Sequence, residues 1–255
     1  MPAAVARVVA LGASNLTRGF QAVVAASRAA WGPGVEMVAA LGHGRSYGAA
    51  SRLLAARTLP GILQSGLWRQ LESRPAVPTR GLITDVGNDI LYGHSTQQTL
   101  SWVEEALGRL QSFTEDIVLT DLPLASIRRL SRAKFLVLRS ILVPSCQLSL
   151  DEVVERAERV NAGLAELAAA RGVRLFHLKP EWYGFDPIHI RPAATRPAWQ
   201  EILGSPVAAP RAGGARLEAL RLYLMPPERQ WLLGVERVRP QSGKVLRSGS
   251  RVWLY

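Results

Sequence analysis

Four short polar blocks stand where strands are expected to end: Gly12-Ala13-Ser14-Asn15, Gly42-His43-Gly44-Arg45, Gly87-Asn88-Asp89 and Asp186-Pro187-Ile188-His189. Together they offer a hydroxyl nucleophile, a glycine that permits close approach, an amide donor and a carboxylate–imidazole pair. Acyl transfer needs those parts: a nucleophile, a base, an acid that orients the base, and donors for an oxyanion. Each block alone is a weak signal. A strand-end serine commonly caps the next helix, and Asn-Asp or Asp-Pro commonly marks a turn. The weight lies in their order and in their shared placement.

The blocks resemble the SGNH (GDSL-type) hydrolase family, whose members carry Ser, Gly, Asn and His in that chain order. The resemblance covers about residues 5–205. It implies Ser14 as nucleophile, His189 as base and Asp186 as its orienting acid. It further implies an oxyanion hole built from the N–H of Ser14, the N–H of Gly44 and the side-chain amide of Asn88. Two departures stand out. Gly12-Ala13-Ser14 replaces the usual Gly-Asp-Ser opening, and Val86 stands where the third block usually has a glycine two residues before the asparagine. The implied activity is that of a serine ester hydrolase (carboxylesterase, deacetylase or lipase-like) acting on a small-molecule ester without cofactor or metal.

Rival readings exist within the same sequence. Gly44-Arg45-Ser46-Tyr47-Gly48 fits G-x-S-x-G, the nucleophile elbow of α/β-hydrolases, and would make Ser46 the nucleophile. That fold places several strands before its elbow, whereas two fit ahead of residue 46. A non-catalytic binding module on an SGNH-like scaffold is the alternative from another class. Arg18, Arg45 and Arg191 each follow a block closely, so Arg45 and Arg191 are candidate substrate-binding residues for an anionic group. Tyr183, in the aromatic stretch before Asp186, is a candidate wall of the acyl pocket. His43 and His94 flank the second and third blocks, but no pair has metal-ligand spacing. Gly12-Ala13-Ser14 lacks the Gly-Lys-Ser/Thr element of a phosphate loop.

The elements that must position these residues alternate. Strands are expected at Val5–Gly12, Val35–Leu41, Arg80–Val86, Asp116–Leu122 and Val173–Leu178. Helices are expected at Leu16–Trp31, from residue 48 to about Leu71, and at Thr96–Phe113 and Leu124–Leu142. Two more follow, one opened by Ser149-Leu150-Asp151-Glu152 and one at Ala193–Leu203. This alternation predicts an α/β, flavodoxin-like three-layer sandwich with a five-stranded parallel sheet, whose sites form beyond the carboxyl ends of the strands. Residues 1–205 read as that domain. Residues 206–255 read as a basic linker and a small C-terminal β-hairpin extension, with nine Arg/Lys against three Glu from Arg211 onward.

The net charge of +11 invites a nucleic-acid reading. Lysine stands only at 134, 179 and 244, so the charge is almost all arginine in an alanine-rich chain. This composition fits coding bias, and no nucleic-acid-binding motif accompanies it; no nucleic-acid partner is expected. The single cysteine, Cys146, forms no internal disulfide and is expected to be a small buried hydrophobe. No signal segment or membrane-spanning run is read, which gives a cytoplasmic protein as the expectation; the oligomeric state stays open.

Overall fold

The computed structural model describes residues 6–53, 56–144, 146–206, 215–247 and 249–255. The five expected parallel strands are present: β1 (Arg7–Leu11), β2 (Glu36–Ala40), β5 (Thr79–Ile83), β6 (Ile117–Thr120) and β7 (Arg174–Phe176). They lie in the order β2-β1-β5-β6-β7 with parallel neighbours throughout. In register, Val9 of β1 sits between Val38 of β2 and Gly81 of β5.

The inner parts of β1, β2, β5 and β6 are apolar because both faces are covered. Val9 and Leu11 join a core with α2 (Leu67–Glu72), α4 (Thr96–Gln111) and α7 (Leu150–Arg171). Val8 and Ala10 point the other way, into a core with α1 (Ser14–Trp31), α8 (Pro192–Ile202) and α9 (Ala215–Tyr223). The period of two along β1 thus divides the side chains between the layers. Helix α7 opens as its sequence predicts. Ser149 Oγ accepts the Glu152 N–H at 3.2 Å, and the Glu152 carboxylate accepts the Ser149 N–H at 2.8 Å.

Three differences from expectation have physical causes. The region from 48 to 71 is only partly helical. It holds two three-residue strands, β3 (Ser51–Leu53) and β4 (Arg57–Leu59), then a 3-10 turn at Ile62–Gln64, and α2. β4 pairs with β8 (Arg229–Leu232), which pairs with β9 (Val235–Val238), so these short strands are held by a distant partner. The span 124–142 is two helices, α5 (Leu124–Ile127) and α6 (Arg132–Leu142). Between them Ser131 caps α6 by accepting the Lys134 N–H. The remaining helix, α3 (Asn88–Leu91), is a single turn.

The third difference lies in the C-terminal strands. β10 (Lys244–Val245) and β11 (Arg251–Leu254) form the expected hairpin, but β11 also pairs in parallel with β2. Among the described residues the main sheet therefore has seven strands, in the order β10-β11-β2-β1-β5-β6-β7. Val252 and Leu254 enter one core and Trp253 the other, so the hairpin shares the sheet's packing.

Candidate active site

The strand order reverses direction between β1 and β5, and open α/β sheets bind ligands at such a switch point. Ser14 follows β1 as the first residue of α1. From the far end of the chain, the loop after β7 brings Asp186 and His189 to the same place. Ser14 Oγ lies 2.9 Å from His189 Nε2, and His189 Nδ1 lies 2.6 Å from Asp186 Oδ2. The other carboxylate oxygen, Asp186 Oδ1, accepts the N–H groups of Ile188 and His189, both at 3.2 Å. The acid thus fixes the imidazole and its own loop together.

Burial pushes the Asp186 carboxyl up. The hydrogen bond and charge of His189, with the two backbone N–H donors, outweigh it and hold the group below the ordinary carboxylate value. Asp186 is therefore ionised when the imidazole is neutral, and a Nδ1–H bond to it directs the Nε2 lone pair toward Ser14.

Asp85, which the sequence reading did not select, fixes the serine side. It follows β5 and occupies the left-handed region with φ 60°, unusual for a residue with a side chain. Its Oδ2 accepts the N–H of Ala13 at 2.9 Å and of Leu16 at 3.0 Å, satisfying donors at the start of α1. Its Oδ1 accepts from Asn15 Nδ2 at 2.8 Å. Asn15 also donates to the Ile188 carbonyl and accepts the Ile190 N–H, both at 2.8 Å. The pair Asp85–Asn15 therefore couples the serine turn to the histidine loop. The available signal was an acid just beyond the strand at the switch point.

The second and third blocks meet as well. Asn88 Nδ2 donates to the Arg45 carbonyl at 3.3 Å, and the Tyr92 hydroxyl donates to the Gly44 carbonyl at 2.5 Å. Gly44 has φ +65°, and a Cβ there would sit 2.5 Å from the Tyr92 hydroxyl oxygen. Both backbone conformation and crowding call for glycine. Asp89 lies beneath, fully buried, accepting the Tyr47 N–H at 3.0 Å. Burial raises its carboxyl above the ordinary value against the hydrogen bonds of Ser46 and Tyr47.

From Ser14 a cavity of about 110 Å³ runs beneath α5 and α6. Asn15, Asp85 and Asn88 stand at its polar end; Leu122, Ile127, Leu130, Phe135, Leu138 and Val153 make most of the rest apolar, with Asp121 and Arg139 also on its wall. Such a lining suits an alkyl chain whose carbonyl is presented to the polar end.

Other expected residues fall elsewhere. Ser46 is 0% exposed, and its hydroxyl accepts the N–H groups of Gly48 and Ala49 at 3.2 and 2.9 Å. It braces a turn and also bonds the buried Asp89 carboxylate. Arg45 is also 0% exposed, with its guanidinium bonded to the carbonyls of Leu41, Pro60 and Tyr255. Burial, then the charge of Arg57, lowers it to about 9. Arg45 therefore ties loop 42–45 to the C-terminal strand and does not line the cavity. Arg191 is exposed and bonds the Glu181 carbonyl, bracing the histidine loop, while Arg18 is exposed on α1. Tyr183 packs into the core with α1 and α8, its hydroxyl without a hydrogen-bond partner among the described residues, and it forms no wall of the cavity.

His43 bonds the Tyr223 hydroxyl of α9 at 3.0 Å. Burial, followed by the charges of Arg18, Arg57 and His189, lowers its imidazole to about 4. Cys146 is free and buried. Among the described residues no group of three or more His, Cys, Asp or Glu side chains could hold a metal, and no helix is long and apolar enough to cross a membrane.

No family model and no curated relative matches the sequence. Solved structures do match the fold. Est24, a carbohydrate acetylesterase from Sinorhizobium meliloti, is 13% identical with a TM-score of 0.53, over 78% of this chain and 97% of that one. The aryl esterase of M. smegmatis, in an inhibitor-bound form, is 10% identical with a TM-score of 0.50, again over 78% and 97%. AlinE4, an SGNH-hydrolase family esterase, is 16% identical over 87% of this chain and 93% of its own, with a TM-score of 0.43. At such identities the property shared is the fold: the chain has the α/β fold of Est24 and of the M. smegmatis protein.

Proposed function

We propose that this chain is a serine ester hydrolase of the SGNH type, with Ser14, His189 and Asp186 as its catalytic residues. The observation that carries the reading is the relay Ser14–His189–Asp186, 2.9 and 2.6 Å, at the polar end of an apolar cavity. Ser14 Oγ attacks the acyl carbonyl carbon while His189 Nε2 takes its proton. The oxyanion is met by the N–H groups of Ser14 and Gly44 and by Asn88 Nδ2. Ser14 lies in the first turn of α1, where an N–H has no intrahelical acceptor and the helix dipole favours negative charge. The imidazolium then returns the proton to the leaving alkoxide. Water repeats the sequence on the acyl-enzyme and frees the acid.

Est24 and the M. smegmatis protein are esterases by name, and the same reaction class is what this geometry supports. The Ser46 elbow is not favoured, because that hydroxyl is buried and used in a turn. A fluorophosphonate that phosphonylates activated serines distinguishes the readings. Mass spectrometry is expected to place the adduct on Ser14, and Ser14→Ala to abolish both labelling and hydrolysis of p-nitrophenyl esters. Asp186→Asn is expected to lower kcat by about a thousandfold or more through loss of the correct imidazole tautomer. Turnover unaffected by Ser14→Ala would end the proposal, and an intact fold with no turnover on any ester would favour a binding module.

A further inference from the structure

Helix α6 is apolar on two sides. Its inner residues Phe135 and Leu138 line the cavity that starts at Ser14. Its outer residues Leu136, Val137 and Ile141 are 49%, 59% and 62% exposed. Next to them stands Phe185, 77% exposed, on the loop that carries Asp186 and His189; Lys134 Nζ lies 3.9 Å over its ring. The exposed patch therefore joins the roof of the cavity to the histidine loop. Nothing in folding alone requires this arrangement, since isolated exposed apolar residues are ordinary but a contiguous set is informative.

The segment that bears the patch carries charge of one sign. Residues 124–142 contain Arg128, Arg129, Arg132, Lys134 and Arg139, and no Asp or Glu. Arg128 pairs with Glu158 at 2.5 Å and Arg132 with Asp151 at 2.8 Å, both on α7. Arg139 donates to the Leu148 carbonyl. Arg129 and Lys134 have no carboxylate partner among the described residues. An exposed apolar stripe flanked by cations on a short helix is the pattern of a segment lying in the interface of an anionic membrane.

We infer that α6 and Phe185 form a docking face for the surface of an anionic phospholipid bilayer, set so that an acyl chain leaving that surface enters the cavity beneath α6. The side chains of Leu136, Val137, Ile141 and Phe185 enter the acyl boundary, and Arg129 and Lys134 meet the headgroup phosphates. The substrate class that follows is an ester of an alkyl acid partitioned into membrane. That half rests on the ester-hydrolase reading; the docking half does not.

Co-sedimentation with vesicles tests docking without turnover. Both the wild-type chain and Ser14→Ala are expected to sediment with phosphatidylcholine vesicles containing phosphatidylglycerol, much less with phosphatidylcholine alone, and less as salt rises. Arg129→Gln and Lys134→Gln are each expected to lower the partition coefficient about fivefold. Val137→Asp with Ile141→Asp, at exposed positions, is expected to abolish binding while circular dichroism stays unchanged. Wild-type protein that ignores both vesicle types, or binds them equally after these substitutions, would overturn the inference, as would a dimer that buries the patch. Docking that persists in Ser14→Ala while no ester is turned over by wild type would instead count against the hydrolase reading alone.

Discussion

Asn15 Nδ2 lies 2.8 Å from Asp85 Oδ1, and through this contact the two polypeptide turns that carry Ser14 and His189 share one anchor. Asp85 spends its whole carboxylate on the start of α1, with three donors at 2.8–3.0 Å. Removal of the carboxylate leaves the Ala13 and Leu16 N–H groups without their acceptor at a partly buried site. Asp85→Ala is expected to cost about 2–4 kcal/mol of stability, since hydrogen bonds to a charged group contribute ~1.5–3 kcal/mol each and are not additive. Urea denaturation measures the loss. Activity is expected to fall further than the unfolded fraction explains, because the Ser14–His189 distance depends on the same anchor. Full activity per folded molecule in the variant would show that Asp85 holds only the fold.

His43 gives a pH signature. Its folded imidazole is lowered from 6.5 to about 4, by burial first and then by Arg18, Arg57 and His189. A group depressed on folding contributes stability above its unfolded value that is lost as pH falls toward the folded one. Folding stability is therefore expected to decline between pH 6.5 and about 4. His43→Gln is expected to flatten that arm when urea midpoints are compared at several pH values. Carboxylates such as Asp186 titrate lower and remain in both proteins, so the difference curve isolates the imidazole. Identical slopes in the two proteins would show that His43 is protonated equally in both states.

The cavity predicts selectivity. Leu138 lines its apolar part from α6 and is only half-buried, so a larger side chain can be placed there without rebuilding the sheet. Leu138→Trp is expected to reduce kcat/KM for octanoyl and longer p-nitrophenyl esters by about tenfold or more. Acetyl ester hydrolysis should be little changed, because a clash of a few methylenes is felt only by chains that reach it. Parallel losses on both esters would place the acyl chain outside this cavity.

The strands and the polar blocks were open to sequence reading for a common reason. Strands buried on both faces give unbroken apolar runs such as Val8–Leu11, and the chemistry follows where those runs stop. The short strands Ser51–Leu53 and Arg57–Leu59 were not, because their pairing comes from Arg229–Leu232, far along the chain. Arg45 misled for a different reason. One residue past Gly44, it invites a substrate role, but the β11 strand that buries it joins the sheet only in three dimensions. Beyond its place just after β5, nothing in the sequence marks Asp85; its role is set by the φ 60° turn that points its carboxylate at α1.

Gly44 and Tyr92 make the sharpest test of the oxyanion reading. Gly44→Ala adds a Cβ 2.5 Å from the Tyr92 hydroxyl oxygen, so either the tyrosine or the loop bearing the Gly44 N–H must move. If that N–H meets the oxyanion, its displacement is expected to lower kcat by about a hundredfold, the scale of a lost oxyanion donor, with little change in KM. Tyr92→Phe removes the colliding oxygen and leaves the ring carbon Cζ at 3.9 Å, an ordinary contact. Alone it deletes the bond to the Gly44 carbonyl and is expected to have a modest effect. Combined with Gly44→Ala it is expected to restore much of kcat, leaving the residual cost of a Cβ at φ +65°. The double-mutant cycle separates the accounts. Strong positive coupling in kcat ties the loss to the clash, and through it to the position of the N–H. Additive effects, with the double variant as slow as the product of the singles, would remove Gly44 from the oxyanion hole.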